Sequence, residues 1–134
     1  MMLLDAHVHT NEYNPSLLGE LERQCLKNNI KLLSVSMCIP SYLQTLELSK
    51  IYPFIIPSFG IHPWRADIYA NNLSILDNYL IESAYIGEIG LDKKFIKYAA
   101  KFTDQQKVFE YIVSNKAVSD KFLNLHTSGA EIDV

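Results

Sequence analysis

Short apolar runs alternate with segments of helical period along the whole sequence, with no linker, repeat or low-complexity stretch between them. Met2 to Val8 reads as a first strand. Asn14-Pro15 supplies a cap and a proline at the first helical position, and Leu18, Leu21 and Cys25 form a helical stripe that ends at Asn28-Asn29. Ile30 to Ser36 reads as the second strand, and Ser41 to Lys50 as the second helix, with Leu43 and Leu46 on one side. Phe54 to Phe59 is a third strand, weakened by Pro57, which has no N–H to give a ladder. Leu73 to Ile81 reads as a helix and Ala84 to Ile89 as a short fourth strand. Thr103-Asp104-Gln105-Gln106 has the form of a capping box opening a further helix, with Val108, Phe109, Ile112 and Val113 as its apolar face. Phe122 to Leu125 is the fifth strand. Strand and helix alternating in this way predict an α/β fold, a parallel sheet joined by right-handed crossovers.

Composition sets the scale. At 134 residues and 49% apolar, the chain has enough material for one domain with a core. It is short for a complete TIM barrel, which needs about 250 residues. A net charge of −3 argues against an overall basic nucleic-acid binder, though not against a local site. Asp5 interrupts the start before a signal-peptide core forms, and no apolar run approaches the roughly 18 residues of a membrane span. Cys25 and Cys38 are too few for a disulfide framework and read as inert buried thiols. The expectation is a cytoplasmic protein with no membrane partner.

All four histidines fall at or just past the C-terminal ends of the expected strands: His7 and His9 on the first, His62 after the third, His126 on the fifth. Glu88 closes the fourth. Parallel α/β folds build their sites at that end of the sheet. In His7-Val8-His9 the period of two aims both imidazoles at one face, a chelating half-site for a divalent metal; alone, the pattern equally describes two surface histidines. With Glu88 and His126 on neighbouring strand ends, metal binding is the better reading. Asp5 lies on the same face as His7 and is either an orienting partner or an ordinary polar residue. Glu88 stands between Gly87 and Gly90, where a carboxylate can bridge two cations about 3.5–4 Å apart. His62, beside Pro63 and Trp64, suits a phosphate donor, a stacking contact or a structural loop residue. Lys93, Lys94, Lys97 and Lys101 either steer a polyanion or form a solvated face.

Taken in order, Asp5-Ala6-His7-Val8-His9, Gly60-Ile61-His62-Pro63-Trp64, Gly87-Glu88-Ile89-Gly90-Leu91-Asp92, Gln106-Lys107-Val108-Phe109 and Asn124-Leu125-His126-Thr127 resemble the motifs of TatD-family metal-dependent hydrolases. The resemblance implies a TIM barrel of the amidohydrolase type, with two divalent-metal sites (Mg, Mn or Zn) at its C-terminal face. It also implies hydrolysis of phosphodiester bonds, typically of DNA, by a metal-activated water. His7 and His9 would hold one metal, Glu88 would bridge both and be catalytic, and His126 would hold the second. His62 and Asp92 would lie on the substrate side. The family's later ligands, a sixth-strand histidine and an eighth-strand aspartate, have no counterpart up to Val134, and Ser128 stands where many members carry arginine. Residues 1–134 thus read as the N-terminal part of a TatD-like (β/α)8 barrel, about five strands and incomplete. The alternatives are a catalytically inactive truncated homologue, or an α/β module that binds a metal or a partner and self-associates through open sheet edges. Asp5 to Thr10 also resembles the opening of PHP-type phosphoesterases, but the His62 and Glu88 motifs favour TatD.

Overall fold

A computed structural model describes residues 1–95 and 100–134. Among the described residues there are five strands: β1 (Leu3–Val8), β2 (Ile30–Val35), β3 (Ile55–Ser58), β4 (Tyr85–Asp92) and β5 (Phe122–Ser128). Strands β1, β2 and β3 form one parallel sheet in chain order, and β4 pairs in parallel with β5. Phe59, just past β3, forms a parallel bridge with Ile86 of β4. The end of β2 meets β4 as well: Ser36 N–H donates to Gly87 O at 3.0 Å, and Glu88 N–H donates to Ser36 O at 3.2 Å. The spatial order is therefore the sequence order, with β1 and β5 outermost among the described residues.

The helices are α1 (Pro15–Asn28), α2 (Ile39–Ile51), α3 (Ala66–Tyr69), α4 (Asp77–Glu82) and α5 (Phe102–Ser114). Local chemistry starts and stops α1 as the sequence suggested. The Asn14 side chain accepts from Ser16 N–H, Pro15 takes the first helical position, and Asn29 closes the helix in the left-handed region at φ 53°. The core lies between sheet and helices. Ile86, Ile89, Leu76, Leu80, Val108 and Ile112 anchor its larger part, and Val8, Cys25, Leu32, Phe54 and Ile55 a smaller part near α1. Among the described residues, no helix is long and apolar enough to cross a membrane.

Several expectations need correction. The fourth strand runs to Asp92 and the fifth to Ser128, so Glu88 and His126 lie within strands rather than closing them. Leu73 to Ile81 divides into a 3-10 turn, Leu73–Leu76, followed by α4. The Thr103 capping box does not form. Helix α5 begins at Phe102, so Thr103 is already inside it and its hydroxyl has no cap position to fill. Leu43 and Val113, expected on buried faces, are exposed.

Candidate metal centre

Strand geometry brings the site together. His7, near the end of β1, and His9, just beyond it, point at the same carboxylate: each Nε2 lies 3.5 Å from Glu88 Oε2. The other oxygen faces the opposite side. Glu88 Oε1 is 2.7 Å from His126 Nδ1 and 3.6 Å from His62 Nε2. Only 5% of Glu88 is exposed. Burial opposes its charge, but the hydrogen bond with His126 and the adjacent His9, His62 and His7 imidazoles outweigh it. The carboxyl is held well below its usual range and stays ionised.

The donor set fits a divalent cation. A direct N–H···O bond spans up to about 3.2 Å, so 3.5 Å is long for one. Two atoms each about 2.0–2.1 Å from one tetrahedral cation lie about 3.4 Å apart. The separations of His7 and His9 from Glu88 therefore match those of co-ligands, and the ligand atoms of all three lie within 4.8 Å of one another, as do those of His62, Glu88 and His126.

Those two groups are not equivalent. His62 Nδ1 accepts from Trp64 N–H at 3.1 Å, which leaves the proton of a neutral ring on Nε2. Burial pushes the His62 pKa down to about 4, so the ring is neutral near pH 7, and its Nε2 lies 3.2 Å from His126 Nδ1. His126 is held differently. Its Nε2 lies 3.0 Å from Asp92 Oδ2, leaving Nδ1 toward Glu88. Asp92 is fully buried; Oδ2 also accepts from Trp64 Nε1–H, Oδ1 from Phe95 N–H, and its own N–H donates to Gln105 Oε1. A carboxylate behind a histidine is the usual support of a metal ligand, fixing tautomer and ring angle.

The Glu88 carboxylate raises His9 and His126 above their usual 6.5 against the opposing effect of burial, and Asp92 adds to the rise at His126. A raised pKa means these rings are protonated below it and free to bind a cation above it. Mn²⁺ affinity measured by calorimetry across a pH series is therefore expected to fall on acidification, beginning above pH 6.5, by about tenfold per pH unit for each proton displaced. A flat profile from pH 8 to 6 would contradict this.

Sequence reading missed some of this site. A cavity of about 360 Å³ opens over it, and Met37, Trp64 and Glu12 line it beside the histidines and Glu88. Asp5, considered as a partner for the His7 ring, instead accepts from the His7 backbone N–H at 3.1 Å. The ring is met by Asn124 Oδ1, 3.0 Å from Nδ1. Lys93 pairs with Asp133 at 2.7 Å, Lys94 and Lys101 are exposed, and Lys97 lies outside the described residues.

The sequence profile of the TatD-related DNases matches residues 4–134. The chain belongs to the TatD-related DNase family. An uncharacterized metal-dependent hydrolase of Buchnera aphidicola subsp. Acyrthosiphon pisum is 25% identical over 147 residues, covering 99% of this chain and 55% of that protein. Among solved structures, YjjV, a TatD homologue of Escherichia coli K12, superposes with a TM-score of 0.71 at 20% identity, over 98% of this chain and 52% of that one. The chain thus spans about half the length of these relatives. Its five parallel strands form part of a TIM-type barrel, as the motifs implied, in a family of metal-dependent hydrolases.

Proposed function

We propose that this TatD-family site hydrolyses phosphodiester bonds, DNA among them, with divalent cations that His7, His9, Glu88 and His126 would hold. The observation that carries this reading is the division of one buried carboxylate between two sets of imidazoles, Oε2 toward His7 and His9 and Oε1 toward His126. His7, His9 and Glu88 would hold one cation, and His126 with Glu88 the other. When bound, such cations acidify water toward neutral pH and offset phosphate charge, which lets an acidic chain accept a nucleic-acid end. His62, whose Nε2 lies 3.2 Å from His126 Nδ1, would share its N–H with a non-bridging phosphate oxygen, and Asp92 would act on the substrate side by fixing Trp64 and His126 at the cavity wall. The unpaired thiols of Cys25 and Cys38 suit the cytoplasm.

The test is release of nucleotides from DNA ends with Mg²⁺, Mn²⁺ or Zn²⁺. His62→Ala is expected to lower kcat by about 10²–10³, the scale of one lost transition-state donor, while metal affinity changes by less than a few-fold. A parallel loss of metal affinity would make His62 a ligand instead. The exposed Leu3 and Leu4 on β1 and Phe122 and Leu125 on β5 favour a second reading, a metal-binding module that pairs edge to edge with another copy. Intact metal affinity without turnover, together with a concentration-dependent mass in sedimentation, selects that reading.

A further inference from the structure

We infer that Asn124 sets the tautomer and ring angle of His7, a positioning role for the cation held by His7, His9 and Glu88; it rests on the metal reading above. Asn124 lies on β5, two residues before His126, and its side chain crosses to β1. Its Nδ2 donates to Ala6 O at 2.7 Å, and its Oδ1 lies 3.0 Å from His7 Nδ1. A carbonyl oxygen only accepts, so Ala6 fixes which end of the amide faces which way. Oδ1 must then face His7, and an acceptor there requires the ring proton on Nδ1. That leaves the Nε2 lone pair free on the side of Glu88 Oε2.

The surroundings are built for this contact. Ala6 sits where the β1–β2 register shifts, between Asp5 and Val8. Opposite Asn124 stands Gly87, at φ +156°, where an added Cβ would come within 2.5 Å of Asn124 Cβ. The missing side chain at 87 lets the Asn124 Cβ and backbone lie this close to β4. His7 needs such a partner more than the other ligands do, because 44% of its side chain is exposed and packing alone does not hold the ring. His126 has Asp92 in the same supporting role, so each end of the site has its own oxygen acceptor behind a histidine.

Two measurements test this. Imidazole ¹⁵N shifts in the metal-free protein are expected to report His7 as the Nδ1–H tautomer in the wild type and in Asn124→Asp, which keeps an acceptor oxygen. In Asn124→Leu that preference is lost. Calorimetry with Mn²⁺ and Zn²⁺ is expected to show affinity weakened about 10–100-fold in Asn124→Leu and closer to wild type in Asn124→Asp, with folding checked by circular dichroism. His7 found as the Nε2–H tautomer in the wild type overturns the assignment, as does a folded Asn124→Leu with unchanged affinity. Should the wild type bind no divalent cation, the metal reading fails by itself, and the tautomer of His7 still decides the role of Asn124.

Discussion

Glu88→Gln is expected to weaken divalent-cation binding by more than about 100-fold, beyond the 10–100-fold typical of losing a supporting hydrogen bond. The substitution keeps the shape of the side chain and removes its charge. Both oxygens are committed: Oε2 is the common neighbour of His7 and His9, and Oε1 meets His126. An amide gives up one of these oxygens for an NH2 group that cannot ligate, so one side of the site loses its ligand atom and the other keeps only an uncharged, weaker one. The same change removes the anion that raises His9 and His126, and their pKa values are expected to fall. NMR titration of the metal-free protein reads that fall, and calorimetry with Mn²⁺ and Zn²⁺ reads the loss of binding. A folded Glu88→Gln that retains wild-type affinity would remove Glu88 from the centre of the site.

Gly90→Ala is expected to destabilise the fold by more than about 4 kcal/mol, a large share of the 5–15 kcal/mol available to a domain. Gly90 pairs with His126 in the β4–β5 ladder, and a Cβ at 90 would overlap the His126 carbonyl oxygen. That neighbour is backbone, so no rotamer change relieves the clash, and its φ of +147° is one that side chains rarely adopt. Relief requires β5 to move away, which also displaces His126. Gly19, inside α1, is the internal comparison: nothing lies within 4 Å of a Cβ there. Gly19→Ala is expected to stabilise by about 0.5–1 kcal/mol. Urea denaturation followed by circular dichroism measures both, and equal midpoints for the two variants would refute the close approach of the strands.

Much of the site was legible because it rests on local periods. A spacing of two on a strand puts His7 and His9 on one side whatever surrounds them, and the structure turns both toward Glu88. Asn14 and Pro15 start α1 through local chemistry, the Asn14 side chain accepting from Ser16 N–H. Glycine was harder to read. Gly87 and Gly90 read as the exit of the fourth strand, where glycine lets the backbone approach closely. They instead lie within a continuous strand, made necessary by Asn124 and the His126 backbone pressing against them. Gln105, similarly, read as part of a cap, yet it is buried and accepts from the Asp92 backbone.

By itself, the sequence determined the strand–helix alternation, the end of the sheet where the candidate site gathers, and most of the polar side chains that line it. Each of these follows from backbone geometry acting over a few residues. Tertiary structure alone decided that Glu88 is shared between opposing imidazoles, that Asp92 stands behind His126, and that Asn124 stands behind His7, 117 positions away in the chain. A side-chain period tells which face a residue occupies but not what it meets there. The meeting is set by strand register and by how closely the glycines let neighbouring strands approach.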